Sequence, residues 1–560
     1  MTDAAPSLPL VLASPVEHVF PKLTAAQIAR VAAHGRVRRV ERGDVLLEPG
    51  DQNPPFFVVT SGRLEVVRVS GNAEEVVVVV HEAGQFTGEM SLLSGRRVLA
   101  RIRVGEAGEV IEVDHQQLMA LVQTDSELSE ILMRAFISRR LELIAQGLGD
   151  VVLVGSRHSA ATLRVKEFLT RNGHPHSYID VEQDTGAQEL LDRFRFAVED
   201  VPVLICRGKK VLRNPTNQQI ADCLGLNAPL DETQVRDMVI VGAGPAGLAA
   251  AVYGASEGLD VLILESSAPG GQAGSSSWIE NYLGFPTGIS GQDLAASAYT
   301  QAQKFGAQMI IAKGAKELLC RRRPYAIQVD NGPAVSARTI VVATGAAYRK
   351  LSADNLSRFE GAGVYYGATA IEAQLCRAEE VIVVGGGNSA GQAAVFLAQT
   401  ARRVHMFVRS EGLAESMSRY LIRRIEQSPA IQLRTRTEIV GLEGGDRLQR
   451  VRWRDNRTGG VETYDVGHVF VMTGAEPTTR WLADCVVLDA KGFIKTGPDL
   501  SKDELAGAGW PVARAPHLLE TSLPGVFAVG DVRSGNQKRV ASAVGEGSTA
   551  VALVHQVLKE

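Results

Sequence analysis

What this chain lacks narrows its function before any motif is read. Five cysteines in 560 residues, at 206, 223, 320, 376 and 485, leave no Cys-x-x-Cys anywhere. Such sparse spacing argues against a disulfide-built secreted scaffold. Each lone cysteine reads first as a small buried hydrophobe, with long-range pairing left open. The 11 histidines are scattered, and His174 and His176 stand without companions, so no metal site is expected. No apolar run approaches the roughly 18 residues that a membrane helix needs. The five valines at 76–80 make a strand, not a span. The N-terminal stretch has no basic region and carries Asp3 and Glu17, which is unlike a signal peptide, so a cytoplasmic location is expected. A net charge of -4 gives no general attraction to nucleic acid or anionic lipid. Tandem repeats and low-complexity tracts are absent as well.

What is present is enough chain for about four domains. Residues 20–125 alternate short Val-rich runs with turn signals such as Gly71-Asn72, the spacing of a small all-β barrel or jelly roll. A connecting helix follows over 126–149, capped by Asp125 or Ser126. Its apolar stripe of Leu128, Ile131, Leu132, Ala135, Phe136 and Leu143 offers a dimer contact. Residues 151–226 read as a small α/β unit: strand, helix to about Arg171, strand, helix, strand from Val201. From 236 onward strands and helices alternate around two glycine fingerprints, which predicts a parallel, doubly wound architecture.

The first fingerprint is MVIVGAGPAGLAAAVY at 238–253, an apolar strand, then Gly242-x-Gly244-Pro245-Ala246-Gly247, then a helix. The next strand, VLILE at 261–265, ends in Glu265, 23 positions after Gly242. Glycines allow the tight turn and the close approach of a pyrophosphate. The helix N-terminus favours its negative charge, and the acid meets a ribose hydroxyl. The second fingerprint is VIVVGGGNSA at 381–390, with Gly385, Gly387, Asn388, Ser389 and Ala390 at the turn. Its following strand ends in Arg409 rather than an acid, which suits a 2′-phosphate and favours NADP over NAD.

These residues resemble the two-dinucleotide flavoprotein reductases, specifically the low-molecular-weight thioredoxin reductases, over about 235–560. Further motifs carry the resemblance. They are GGQA at 270–273, ENYLG at 280–284, VVATG at 341–345, VFAVGD at 526–531, KRVASA at 538–543 and GEG at 545–547. The resemblance implies FAD at the first fingerprint, with Gly271, Gln272, Asn281, Thr344, Gly345, Gly530, Asp531, Lys538, Arg539 and Val540 around it, and NADPH (NADH as the alternative) at the second. It also implies a homodimer and an FAD-binding domain at 235–348 and 478–560 split around an NAD(P)H-binding domain at 349–477. The family's reactive cysteine pair falls on Gly367-Ala368-Thr369-Ala370, so both redox sulfurs are missing. Lys538-Arg539 replaces the family's Arg-Gln, adding a cation near the flavin ring if the side chain points inward.

Two upstream segments carry resemblances of their own. Residues 150–228 are similar to a glutaredoxin/thioredoxin-like domain through VKEFL at 165–169, SYIDV at 177–181 and DVPVLI at 200–205, with a Val-Pro turn that is usually cis at Pro202. The expected cysteine pair falls on Ser159-Ala160-Ala161-Thr162, and a hydroxyl does not replace a thiolate in disulfide exchange. Residues 15–148 resemble a cyclic-nucleotide-binding domain through RGDVLLEPGD at 42–51, FVVTSGRL at 57–64 and GQFTGEMSLL at 84–93. Gly88-Glu89 would meet the ribose. The Arg-Ser pair for the cyclic phosphate falls on Val98-Leu99, which leaves that phosphate without its counter-charge unless Arg96 or Arg97 substitutes.

The fold class expected is therefore multidomain: an N-terminal β jelly-roll, a small α/β thioredoxin-like domain, then two α/β Rossmann-like dinucleotide-binding domains. The function expected is an FAD-dependent NAD(P)H oxidoreductase. Hydride passes to flavin and electrons then pass to a non-cysteine acceptor, such as a small electron-carrier protein, a quinone-like molecule or oxygen. Two alternatives are a thioredoxin-disulfide reductase using non-standard cysteines and a redox sensor with little turnover. No side chain is nominated as catalytic.

Overall fold

The computed structural model describes residues 15–69, 75–94, 96–145, 151–157, 159–182, 200–206, 210–276, 278–368, 370–445, 447–482 and 484–560. The turn at Gly71-Asn72, the helix expected between 181 and 201, the far end of the connecting helix and Thr369 lie outside them. The chain divides into two compact units. The first gathers Met1–Gly155, Gly173–Pro229 and Gln303–Ile311; the second gathers Ser156–Asn172, Leu230–Ala302 and Ala312–Glu560.

In the first unit, alternation of apolar and polar residues builds an antiparallel sheet. Its strands are β1 (Arg36–Val40), β2 (Val45–Leu47), β3 (Phe56–Val69), β4 (Glu75–His81) and β5 (Arg101–Val113). The order is β1-β5-β3-β4, with β2 also on β5. Helix α1 (Ser126–Ala145) follows, its start capped by Asp125, whose carboxylate accepts from the Leu128 N–H at 3.0 Å. The apolar stripe expected to meet a partner subunit is used at home. Leu128, Leu132, Ala135 and Phe136 are buried with Phe56 and Phe86 in one core. Three rings interlock there, with Phe136 edge-on to both others at centroid distances of 6.2 and 6.1 Å. A second sheet runs β6 (Val151–Gly155), β7 (Ser177–Asp180), β8 (Val203–Cys206) and β9 (Lys210–Arg213), in the order β7-β6-β8-β9. The Val201–Pro202 bond is cis.

The second unit holds both glycine fingerprints. One sheet places β11 (Val261–Glu265) beside β10 (Val235–Val241), then β14 (Ala334–Val342), β13 (Tyr325–Val329) and β12 (Ala315–Leu319). The pairs β10–β11 and β10–β14 are parallel. The other sheet is parallel throughout: β15 (Val364–Tyr365), β19 (Val469–Val471), β16 (Glu380–Val384), β17 (Arg403–Val408) and β18 (Ile431–Thr435), in that order. Helix α2 (Ala160–Arg171) belongs to this unit, as do α3 (Pro245–Ser256), α4 (Asn388–Leu397), β20 (Val526–Ala528) beside β14, and α5 (Val540–Leu558). Parallel strands buried on both faces read as the continuous apolar runs seen in the sequence. Gly547 of α5 approaches α3 so closely that a Cβ there would lie 2.2 Å from the Ala246 carbonyl oxygen.

The cysteines need one correction. Cys320 and Cys485, 165 positions apart, form a disulfide that joins the end of β12 to a later loop. Neither neighbours another cysteine in sequence, so the pattern makes each a small buried hydrophobe first and leaves long-range pairing open. Cys206, Cys223 and Cys376 are buried and stand outside that disulfide.

Candidate functional site

Strand β10 ends at Val241 and the chain turns into α3 through Gly242, whose φ of +102° lies in the left-handed region open to glycine. A Cβ on Gly242 would also sit 2.4 Å from the Ala343 carbonyl oxygen. Gly244 caps α3 without any side-chain hydrogen bond, and Pro245 opens the helix. The first N–H groups of α3 are thus left for a ligand, and the missing side chains form a cradle that suits a pyrophosphate. Glu265, at the end of β11, is buried. Its carboxylate accepts the N–H groups of Ala243 at 2.8 Å and Ser267 at 2.9 Å. Burial raises its pKa, while those two donors and the positive charge of Arg171 pull it back.

The second fingerprint repeats the pattern. Strand β16 leads to Gly385, with φ +140° and a would-be Cβ 2.4 Å from the Met472 carbonyl oxygen. Gly387 caps α4, again with no side-chain bond. The Asn388 side-chain oxygen accepts from the Ser418 N–H at 2.8 Å, and the Ser416 hydroxyl donates to the Gly386 carbonyl at 2.8 Å. The loop carrying Ser416 and Ser418 is thereby tied to the turn. Arg409 follows β17 with an exposed side chain.

Both turns open into one cavity of about 1510 Å³. Single-ligand pockets run to roughly 300–1,000 Å³, so this space accommodates more than one dinucleotide-sized arm. Its lining includes Gly242, Gly244, Pro245, Ala246, Glu265, Gly271, Gln272, Asn281, Thr344 and Gly345. It also includes Gly385, Gly387, Asn388, Ser389, Arg409, Gly530, Asp531, Lys538, Arg539 and Val540. Two residues of the fingerprints stand behind the lining. Gly247 faces the Gly242 carbonyl oxygen, 1.9 Å from its would-be Cβ, and Ala390 is packed in the core under β16. Both serve helix-to-strand packing.

The floor is tied together by backbone-directed bonds. The Gln272 amide donates to the Ala346 carbonyl, and the Thr344 hydroxyl donates to the Thr478 carbonyl at 2.8 Å. Burial raises the Asp531 pKa, against the pull of the Lys538 ammonium. Lys538 is exposed, and its Nζ rests 5.1 Å from the Phe493 ring centroid. Gly367 lies beside Ser275, while Ala368 bridges Ser276 in parallel register. The segment on which the family's cysteine pair falls therefore borders the loop that follows Gly271 and Gln272.

Sequence reading missed one wall of the cavity. Ala160, Leu163, Arg164, Glu167 and Arg171 of α2 line it, a single helix stripe at i, i+3, i+4, i+7 and i+11. Ser159 caps this helix by accepting from the Thr162 N–H at 3.4 Å. Only the stripe itself, read as a face rather than as the site of a lost cysteine pair, could have pointed there. Among the described residues no cysteine lines the cavity, and no group of three or more His, Cys, Asp or Glu side chains could hold a metal. No helix among the described residues is long and apolar enough to cross a membrane.

In the first unit, Glu89 pairs with Arg140 at 3.2 Å and the Gly88 carbonyl accepts from Arg139 at 2.7 Å. Arg97 donates to the Cys223 carbonyl at 3.4 Å. The acid nominated for a ribose thus meets an arginine of its own chain, and Arg97 has a backbone partner.

Comparison with known proteins agrees with this layout. Residues 236–547 match the pyridine nucleotide-disulphide oxidoreductase family, and residues 37–125 match the cyclic nucleotide-binding domain. A thioredoxin reductase of Listeria innocua is 31% identical over 320 residues, 57% of this chain and 92% of that protein. One from Mycolicibacterium smegmatis is 32% identical over 316 residues, 56% of this chain and 94% of its own. The crystal structure of Lactococcus lactis thioredoxin reductase aligns with a TM-score of 0.52 at 27% identity, covering 58% of this chain and all of that one.

Proposed function

Because the chain belongs to the pyridine nucleotide-disulphide oxidoreductase family, in its thioredoxin reductase-like branch, we propose that it is an FAD-dependent NAD(P)H oxidoreductase whose electrons leave to an acceptor other than its own cysteines. The observation that carries this reading is the single cavity shared by both dinucleotide turns. Held there, a flavin would supply hydride- and electron-transfer chemistry between a nicotinamide and the acceptor.

The chain's own residues bind, orient and seal. In this reading Gly242, Gly244 and the first turn of α3 hold the pyrophosphate of FAD, and Glu265 accepts from a ribose hydroxyl. Gly271, Gln272, Asn281, Thr344, Gly345, Gly530, Asp531, Lys538, Arg539 and Val540 surround the rest of it. Gly385, Gly387, Asn388, Ser389 and the start of α4 hold the nicotinamide dinucleotide, with Arg409 on a 2′-phosphate. This division corresponds to an FAD-binding domain at 235–348 and 478–560 and an NAD(P)H-binding domain at 349–477, in a homodimer.

The cysteines favour the non-thiol route over a disulfide reductase. Cys376 is sealed in the core and donates to the Glu372 carbonyl at 3.4 Å. Burial pushes its thiol up to about 12, so no thiolate forms at neutral pH. Cys320 and Cys485 are already joined and do not line the cavity. The acceptor class is a small electron-carrier protein, a quinone-like molecule or oxygen. The test is anaerobic stopped-flow mixing of the purified yellow protein with NADPH and with NADH, followed at about 450 nm, the flavin band. Fast bleaching supports the reading; an unchanged spectrum with both nucleotides overturns it.

A further inference from the structure

Helix α2 precedes the matched region by more than sixty residues, yet it belongs to the unit that holds the dinucleotide turns and lines their cavity. It is fastened at both ends. At its start, a Cβ on Gly361 would lie 2.6 Å from that of Ala160, and Leu163 packs on the core that contains Tyr365 and Ala368. At its close, the Gln292 amide donates to the Thr170 carbonyl at 3.1 Å, and the Asn172 amide reaches the Ser267 carbonyl at 3.4 Å.

Arg171 is the informative side chain. Its Nη2 donates to the Gly271 carbonyl at 2.9 Å and its Nη1 pairs with Glu167 at 3.2 Å, while its buried Nε has no acceptor. Gly271 in turn abuts Gly244, the cap of α3: a Cβ on Gly271 would lie 3.0 Å from the Gly244 Cα. The guanidinium is therefore set beside the glycine cradle, and the Glu265 carboxyl feels its charge. Arg164 lies two helical turns earlier on the same stripe, about 10 Å along the axis. Both arginines line the cavity.

We propose that α2 is a wall of the first dinucleotide site and that Arg171, seconded by Arg164, is the cation that holds the pyrophosphate of the bound dinucleotide. This rests on the reading that FAD occupies the first fingerprint. A planar guanidinium that lines the cavity beside the glycine cradle suits a phosphate oxygen, and charge-assisted bonds of that kind are the strong ones. Arg171 is here a binding residue. The bland alternative is a strut that only positions Gly271.

Two substitutions separate these roles. Arg171→Gln keeps a side-chain amide but removes the charge; Arg171→Lys keeps the charge without the fork. The full chain and both variants are titrated with FAD and with riboflavin, which lacks phosphate, by quenching of flavin fluorescence. Arg171→Gln is expected to bind FAD about ten- to a hundred-fold more weakly. Riboflavin affinity should stay unchanged, and Arg171→Lys should recover part of the loss. Should riboflavin bind too weakly to measure, the lysine variant alone decides. Unchanged FAD affinity in Arg171→Gln, an equal loss for both flavins, or no recovery in Arg171→Lys would overturn the assignment. A wild-type chain that binds no FAD would overturn the underlying reading instead.

Discussion

Replacing Gly247 by alanine separates cofactor binding from fold stability. A Cβ at Gly247 would stand 1.9 Å from the Gly242 carbonyl oxygen. Restoring an ordinary contact requires the start of α3 to withdraw from the turn by roughly 1.5 Å. Overpacking of this kind costs about 1–3 kcal/mol, and the better helix propensity of alanine returns about 1 kcal/mol. Net stability thus falls by about 0–2 kcal/mol. The same withdrawal moves the uncapped N–H groups of α3 away from the pyrophosphate position. Losing even one hydrogen bond to a charged group then weakens FAD binding about ten-fold or more. The control is Gly258→Ala, just beyond the end of α3. Gly258 has φ +87° and nothing within 4 Å of a would-be Cβ, so alanine there costs only the left-handed penalty, about 1–2 kcal/mol. Thermal melts and flavin retention of the two full-length variants are compared. Similar losses of stability with flavin loss confined to Gly247→Ala match the account. Wild-type flavin retention in Gly247→Ala, or equal flavin loss in both, would refute it.

Further outcomes follow from individual contacts. Without reductant, the denatured chain should show three thiols to a thiol reagent and after reduction five, because Cys320 and Cys485 are joined; five before reduction would contradict the pairing. His81 is buried with its Nδ1 unpartnered and the Arg139 charge near, so burial first and that charge second depress its pKa well below the ordinary 6.5. Folding therefore keeps it neutral while the unfolded chain takes up a proton below about pH 6.5, and stability falls as pH drops through that window. Thermal melts from pH 7.5 to 5 should show this slope in the wild type and a flatter one in His81→Gln, and equal slopes would refute it. Arg409→Ala should raise the KM for NADPH about ten-fold and leave that for NADH unchanged; a parallel rise for both would remove Arg409 from the 2′-phosphate.

The two dinucleotide turns were legible because each is local: strand, glycines, helix and a charged strand end fall within about thirty residues. Their residues line the cavity except Gly247 and Ala390, which stand behind it. Helix α2 escaped because its cavity-lining Arg171 acquires meaning only when Gly271, a hundred positions later, folds against it. The disulfide escaped for the same reason, since a separation of 165 positions leaves no local trace. Lys538 was read as a possible flavin-ring cation, but sequence gave no view of Phe493 beneath its ammonium. The stripe on α1 shows the reverse error: helical periodicity announces a buried face without saying whether a partner or the chain's own core buries it.

The claim that electrons leave the flavin without visiting a cysteine is tested most directly by anaerobic reductive titration with NADPH. A flavoprotein without a redox-active disulfide takes up one two-electron equivalent per flavin, and one with such a disulfide takes up two. The account predicts complete bleaching at about one equivalent per flavin, with the thiol count of the reduced protein unchanged. Bleaching that needs about two equivalents, with two new thiols appearing, would contradict it and make the Cys320–Cys485 pair part of the electron path.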